Sequence, residues 1–282
     1  MVVQHNLTAM NANRMLGITT NAQAKQTERL ASGYRINRAA DDAAGLSVSE
    51  KMRRQIRGLD QASANAQDGI SLVQSAEGAL NEVHDMLQRM NELTVKAANG
   101  TYTTTQKQYI ADEVNQLISE IDRVATTTKF NDQKVLQGST NDGNAATKSF
   151  QFQVGNEQNE TLAVTISNMK ASKLNANLKD QTWSSATQYA NVASFIDVVS
   201  AALETVASQR SALGAVQNRL EHTINNLDSI VENTTAAESR IRDTDMAKSM
   251  VTYSNNQILA QAGQAMLAQG NQVNQGVLSL LQ

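Results

Sequence analysis

The chain has 282 residues, 40% of them hydrophobic and 4% aromatic, and it contains neither proline nor cysteine. The absence of cysteine excludes disulfides, thiolate metal sites and thiol nucleophiles, and a formal net charge of −3 does not indicate a nucleic-acid-binding protein. Because proline interrupts helix interiors, its absence favours a chain made largely of long helices. No stretch approaches the roughly 18 apolar residues of a membrane span, so we expect no membrane insertion.

The amino-terminal segment is basic and has little apolar periodicity. Residues 1–40 contain five basic side chains and one acid, and the apolar positions between Leu7 and Ala24 are small and imperfectly spaced. The first residues show no basic region followed by an apolar stretch, so we expect no secretory signal peptide.

Heptad repeats dominate the next part of the chain. One seam steps by seven through Leu59, Ala66, Val73, Leu80 and Leu87, and a second accompanies it through Ala62, Ala76, Val83, Met90 and Ala97. After a predicted turn at residues 99–101, a shorter helix is indicated by Ile110, Val114, Leu117, Ile121 and Val124. Sustained heptads predict helices that pack along their length on other helices.

The middle of the chain changes from helical to alternating periodicity. Apolar residues alternate with polar ones on both sides of a polar turn, which predicts a β-hairpin at about residues 148–168. A weakly patterned stretch from about residue 175 to 190 follows. A third heptad helix then begins, with its seam at Val192, Val199, Val206, Leu213, Leu220 and Leu227.

The carboxy-terminal segment, residues 249–282, contains no charged side chain. One stripe of this predicted helix is apolar, and the rest is mostly Gln, Asn, Ser and Ala; the stripe consists of Ile258, Ala262, Met266, Val273, Val277 and Leu281. A solvated surface helix normally carries charges on its outer face. We therefore predict that this segment is covered within its own fold or by neighbouring subunits. We expect the stripe to pack against the amino-terminal helix and against adjacent subunits, and so to mediate assembly.

These patterns predict a mainly α fold, in which long heptad helices form an elongated helical bundle or coiled coil with a small β-hairpin region. Candidates for chemistry are weak. The acid pairs Asp41-Asp42 and Asp243-x-Asp245 lack the spacing of an EF-hand and lie near predicted helix starts, where acids are favourable. The histidines are far apart in sequence, at His5, His84 and His222. We predict no catalytic residue, no metal site and no cofactor.

Several long segments resemble the hallmark segments of bacterial flagellins. In the first half these are LASGYRINRAADDAAGL at 30–46 and NAQDGISLVQSAEGAL at 65–80. In the second half they are LGAVQNRL at 213–220, AESRIRDTD at 237–245 and VLSLL at 277–281. The resemblance covers nearly the whole chain, in the family's order.

The resemblance implies an extracellular structural subunit that self-assembles into the helical filament of the bacterial flagellum for swimming motility. Residues 1–44 and 241–282 would pair as the inner coiled-coil domain. Residues 45–185, with two helices and the hairpin, and residues 186–240, with the last long helix, would form the outer rod domain. Only about twenty residues, 174–192, occupy the place of the variable outer domains of other flagellins.

The resemblance also implies partners. These are further copies of the chain, hook-associated and cap proteins, the flagellar type III export apparatus, and an export chaperone on the carboxy-terminal helix. Monomers of the family resemble ligands of the host Toll-like receptor 5, and Arg89, Leu93 and Glu113 match receptor-contacting positions. Asn91 departs from the arginine that is common in strongly stimulating members.

Three alternatives remain open at this point. A hook–filament junction protein shares the terminal helices but assembles as a short ring, and the near-complete hallmark segments favour a filament subunit. A chemoreceptor signalling domain would need a membrane anchor and a continuous helical hairpin without a β element. An enzyme would need a catalytic constellation, and none is evident.

Overall fold

The computed structural model describes residues 6–138, 146–175, 178 and 189–279. The prediction of a mainly α fold with a small β region is confirmed. The helices are α1 (Leu7–Ser32), α2 (Ala43–Ala98), α3 (Thr104–Thr127), α4 (Ala171–Leu174), α5 (Tyr189–Arg242) and α6 (Met246–Ser279). The strands are β1 (Lys129–Phe130), β2 (Gln133–Lys134), β3 (Thr147–Gln153) and β4 (Thr161–Ser167).

The chain divides into two compact units. Unit 1 comprises residues 1–56 and 232–282, and unit 2 comprises residues 57–231. Unit 1 is therefore built from both ends of the chain, and α1 packs along α6 within it. These boundaries lie inside α2 and α5, whereas the domain boundaries implied by the resemblance lie at residues 44/45 and 240/241.

Local capping groups explain where the helices begin and end. The Asn6 side chain accepts a hydrogen bond from the Ala9 amide at the start of α1. Gly33 ends that helix in the left-handed conformation (φ 76°), which a residue without a Cβ adopts at no steric cost. Thr103 and Gln106 form a reciprocal capping box at the start of α3, just after the predicted turn.

The core of unit 2 lies along the predicted heptad seams. Every seam residue from Leu59 to Leu87 is buried, as is every one from Val192 to Leu227. The accompanying positions from Ala62 to Ala97 are buried too, and α3 adds the face that contains Ile110, Val114 and Ile121. The heptad predictions are therefore confirmed.

The predicted hairpin is the antiparallel pair of β3 and β4, in which Phe150 lies opposite Val164 and Phe152 opposite Leu162. The alternate residues Leu162, Val164 and Ile166 of β4 are buried, as the period of two requires. Helix α5 holds the hairpin through the buried Gln209. Its Oε1 accepts from the Ser167 amide at 3.3 Å, and its Nε2 donates to the Thr165 carbonyl at 3.1 Å.

A second, smaller hairpin, β1–β2, was not predicted. Its two-residue turn is Asn131-Asp132, and both residues have positive φ (47° and 64°). Asn and Asp tolerate this conformation better than other residues with a side chain. Most of the weakly patterned stretch after the main hairpin, including residues 179–188, lies outside the described residues.

Candidate assembly surface

The seam between α1 and α6 in unit 1 is made of small and polar residues. Half-buried or buried positions recur at spacings of three and four on both helices. On α1 they are Ala9, Ala12, Leu16, Thr19, Gln23, Gln26 and Leu30, and on α6 they are Ser249, Thr252, Asn256, Ala260, Gly263, Leu267 and Gly270. At Gly263 an added Cβ would lie 3.4 Å from a methyl carbon of Leu16. Small residues therefore allow the two helices to approach closely.

Most of the larger apolar side chains of both helices face away from this seam, and the exceptions are Leu16, Leu30 and Leu267. On α1 the outward-facing ones are Leu7, Met10, Met15 and Ile18, all at least 50% exposed. On α6 they are Met250, Val251, Ile258, Leu259 and Met266, all at least 55% exposed. An isolated exposed apolar residue is ordinary, but rows of them along two paired helices are typical of a surface that another molecule covers.

The predicted assembly stripe lies partly on this exposed surface. Ile258, Ala262 and Met266 are exposed, so they do not pack against α1. The reason is that α1 packs against the face with smaller side chains. Val273 and Val277 lie in α6, but their side chains are not described, and Leu281 lies outside the described residues. Their role in assembly stays a prediction.

The hallmark segments 30–46 and 237–245 meet in unit 1. Tyr34 and Asp243 form an isolated antiparallel bridge, in which the Arg35 amide donates to the Arg242 carbonyl at 2.7 Å. The Thr244 amide donates to the Gly33 carbonyl at 3.0 Å. Two segments that are about 200 residues apart in sequence are thus joined through their backbones.

Two arginines flank the Tyr34 ring at this junction. The guanidinium of Arg242 lies 4.5 Å from the ring centroid and that of Arg53 lies 5.8 Å from it. Arg242 pairs with Glu50 at 3.1 Å, and Arg53 pairs with Glu238 at 3.3 Å. Because these groups come from α2, α5 and the loop after α1, the network fixes how the helix ends of unit 1 join.

The acid pairs act as helix caps and turn anchors. Asp42 accepts from the Gly45 amide at 2.9 Å at the start of α2, and Asp245 accepts from the Lys248 amide at 3.0 Å at the start of α6. Asp41 pairs with Lys25 at 2.6 Å and also accepts two backbone amides. The Lys25 ammonium and these amides lower the pKa of Asp41 to about 2. Asp42 and Asp245 therefore lie at helix starts, where the sequence placed them.

The predicted receptor residues lie on α2 and α3 in unit 2. The Arg89 guanidinium donates to Glu113 Oε1 at 3.0 Å and pairs with Glu92 at 3.2 Å, and all three side chains are exposed. Glu113 and Glu92 raise the pKa of Arg89. Leu93, in contrast, is 3% exposed and belongs to the apolar core. The free chain therefore presents Arg89 and Glu113, but not Leu93, on its surface.

The two histidines among the described residues, His84 and His222, lie on different helices. His84 forms a hydrogen bond with Gln88, one turn along α2, His222 is exposed on α5, and His5 lies outside the described residues. Within the described ranges, no three His, Cys, Asp or Glu side chains are grouped as metal ligands would be. No helix in the described part of the chain is long and apolar enough to cross a membrane.

Paired terminal helices with small residues between them and large apolar residues outside define a helical structural protein that offers surfaces to further subunits. Comparison with known proteins gives the family. Residues 3–141 match the model of the bacterial flagellin N-terminal helical region, and residues 196–281 match that of the C-terminal helical region. The chain belongs to the bacterial flagellin family, and it is an extracellular structural protein of the flagellar filament.

Full-length relatives support this assignment. The chain is 51% identical to a flagellin of Halalkalibacterium halodurans and 48% identical to the flagellin of Bacillus subtilis, with both chains covered completely in each case. The solved structure of a Vibrio parahaemolyticus protein assigned to the flagellar hook-associated class shares the fold. It covers 72% of this chain and all of its own, with a TM-score of 0.61 at 14% identity.

Proposed function

We propose that the chain polymerises into the helical filament that drives swimming, and that the outward apolar faces of α1 and α6 bind neighbouring copies. The observation that carries this proposal is the exposure of Met10, Met15, Ile18, Ile258 and Met266 in the free chain. Fully burying one such side chain contributes about 1.5–3 kcal/mol. Repeated at every subunit contact, this contribution opposes the entropy lost on association.

Met266 provides the test, because its side chain is 66% exposed in the free chain. Met266→Glu would bury an unpaired charge at each subunit contact, which costs several kcal/mol. Electron microscopy is expected to show filaments for the wild type and for Met266→Leu, and none for Met266→Glu. The circular dichroism spectra of the three monomers should be the same, because the side chain of residue 266 is exposed in the free chain. Normal filaments of Met266→Glu would contradict the proposal.

The same exposed face supports a role for an export chaperone. Before assembly, the apolar side chains of α6 need a cover, and we propose that a chaperone supplies it on the way to the flagellar type III export apparatus. Hook-associated and cap proteins would then contact the terminal helices at the two ends of the filament. Binding of the chaperone to the full chain and to a chain truncated before residue 249 can be compared. Equal affinity for the two chains would contradict this assignment.

The exposed ion pair of Arg89 and Glu113 supports a second role, recognition of the monomer by Toll-like receptor 5. Arg89→Ala is expected to weaken receptor binding, since an arginine at an interface hot spot often contributes more than ~2 kcal/mol. Arg123→Ala is the matched control, because Arg123 forms a similar exposed ion pair with Glu120 on α3. An equal loss of binding in both variants would show that only overall charge matters.

A further inference from the structure

A basic cavity of about 420 Å³ lies in unit 1, where the end of α1, the end of α5 and the start of α6 come together. Its lining includes four cations, supplied by both ends of the chain: Arg29, Arg35, Arg240 and Lys248. Two acids, Asp243 and Asp245, also line it, so the cavity has an excess of two positive charges. None of its lining residues belongs to the proposed outward apolar faces or to the proposed receptor residues.

The four cations form no ion pair with the described residues. In the described part of the chain, none of them lies within 4.0 Å of a carboxylate oxygen, although Arg38, Arg53 and Arg242 of the same unit all form ion pairs. The Nε of Arg29 is buried and has no hydrogen-bond partner among the described residues. A buried guanidinium N–H without a partner is costly, so the chain does not satisfy the full hydrogen-bonding capacity of Arg29.

The two acids of the cavity are already engaged elsewhere. Asp243 Oδ2 accepts from the Ser239 hydroxyl at 2.6 Å, and Asp245 Oδ1 accepts from the Lys248 amide at 3.0 Å as the cap of α6. Both carboxylates would repel an anion, but each is held by its own donor. The positive excess therefore remains available to a ligand.

Compensation of helix dipoles explains only some of these cations. Arg35 donates to the Ile241 carbonyl at 2.5 Å, and Arg29 and Arg240 lie in the last turns of α1 and α5, where cations are favourable. Lys248, however, is the third residue of α6, near the positive end of that helix. A cation is unfavourable there, and an anion between Lys248 and the arginines would remove the conflict.

We propose that this cavity binds a phosphate-type oxyanion. Arginine matches such an anion with parallel N–H donors, and Lys248 adds a point charge beside the first turn of α6. The hydroxyls of Thr244 and Ser249 also line the cavity and share a hydrogen bond of 3.1 Å, which leaves one of the two O–H groups to donate to an anion. The volume accommodates either free phosphate with water or the phosphate group of a monoester.

Equilibrium dialysis of the monomeric full chain against radiolabelled inorganic phosphate, at constant ionic strength set with chloride, tests the proposal. Saturable binding to one site is expected. Arg29→Gln and Lys248→Gln should each weaken it about tenfold or more, because each removes a charge-assisted hydrogen bond. Lys51→Gln is the matched control, since Lys51 is an exposed cation of unit 1 outside the cavity, and its binding should be unchanged.

Competition of other anions with the labelled phosphate identifies the class of ligand. If glycerol phosphate and free phosphate displace the label equally, the cavity accepts phosphate monoesters. If glycerol phosphate displaces it less, the cavity is restricted to the free ion. Both outcomes support the oxyanion site. Acetate should not displace the label at matched concentration. Absence of saturable binding, equal displacement by acetate, or an equal loss in Lys51→Gln would overturn the proposal. If Arg29→Gln does not fold by circular dichroism, the exposed Lys248→Gln still decides the outcome.

Discussion

The two units of the chain use apolar side chains in opposite ways. Among the described residues, only Ile36 and Ala260 of unit 1 are buried hydrophobic residues, and all the others lie in unit 2. The exposed large hydrophobic side chains show the reverse distribution. Within the described part of the chain, only Val95 and Tyr109 of unit 2 are among them, and the rest belong to unit 1.

Side-chain size, rather than spacing, separates the two behaviours. The buried faces of α2 and α5 repeat at heptad spacing mainly with Leu, Val and Ala. The half-buried faces of α1 and α6 repeat at similar spacing mainly with Ala, Gly, Ser, Thr, Asn and Gln, and they contain three leucines. Large residues in the seam bury enough apolar area to stabilise a single chain. Small residues in the seam leave the large ones for contacts with other molecules. A chain can therefore assign folding to one unit and association to the other.

The largest expected effect is the loss of assembly on removal of α6. Deletion of residues 249–282 should abolish filaments, since it removes half of the outward apolar surface. Unit 2 keeps all of its core, so its cooperative thermal transition should remain within a few degrees of that of the full chain. Electron microscopy and circular dichroism measure the two outcomes. Filaments of the truncated chain, or loss of the thermal transition, would mean that the two tasks are not divided between the units in this way.

Leucine truncation in each unit gives the next largest effect. Leu87 of unit 2 is 0% exposed, and Leu87→Ala should lower the free energy of unfolding by about 2–5 kcal/mol through lost burial and a cavity. Leu259 of unit 1 is 57% exposed, and Leu259→Ala should change it by less than about 0.5 kcal/mol. Urea unfolding of the monomers measures the free energy of unfolding of both variants. Similar losses would show that α6 contributes as much to the monomer as the unit 2 core does.

The buried amide of Gln209 should have a smaller effect, confined to unit 2. Gln209→Ala leaves the Ser167 amide and the Thr165 carbonyl without their partner, which costs about 1–3 kcal/mol. Gln217→Ala is the matched control eight residues further along α5, since its amide donates to the exposed Glu221. Hydrogen exchange of the backbone amides of β4 should accelerate in Gln209→Ala and not in Gln217→Ala. Equal exchange in both would exclude a role for Gln209 in holding the hairpin.

The smallest effect concerns Asp41 in unit 1. Its pKa is lowered to about 2 in the folded chain, against an ordinary value of 3.8, because of Lys25 and two backbone amides. The stabilisation is therefore complete above the unfolded pKa and is lost as pH falls through about 2. The carboxyl ¹³C shift of Asp41 should titrate near pH 2, and Lys25→Gln should move the midpoint upward. A midpoint near 3.8 in the wild type would contradict the pairing.

Much of unit 2 was predictable, because its core follows one rule over a long distance. Six successive seam residues from Val192 to Leu227 are buried as the heptad spacing requires. Alternation also located β3 and β4. The contacts between elements were less accessible, since Gln209 interrupts no pattern and its partner β4 lies more than forty residues away. For β1–β2, the Asn131-Asp132 pair was the one local signal.

Unit 1 was less predictable, for a physical reason. The absence of charge from residues 249–282 indicated that this segment is covered, but it did not indicate which face α1 occupies. The apolar stripe through Ile258 and Met266 was the obvious candidate, whereas α1 lies on the face with Ala260 and Gly263. Periodicity ranks faces by hydrophobicity. It cannot tell which of two helix faces packs against another helix of the same chain when the more apolar face is the one proposed to bind a neighbouring subunit.

The pairing of α1 with α6 also sets the order in which the molecule can be completed. Asn6 donates to the Gly270 carbonyl at 3.1 Å, a contact between residues 264 positions apart. A chain that emerges from the ribosome amino terminus first can close unit 2 once residue 231 is out, but α1 must wait for the last helix to be synthesised. The nascent chain therefore lacks the paired terminal helices throughout its synthesis. The proposed polymerisation, which needs both terminal helices, therefore cannot begin before synthesis is complete.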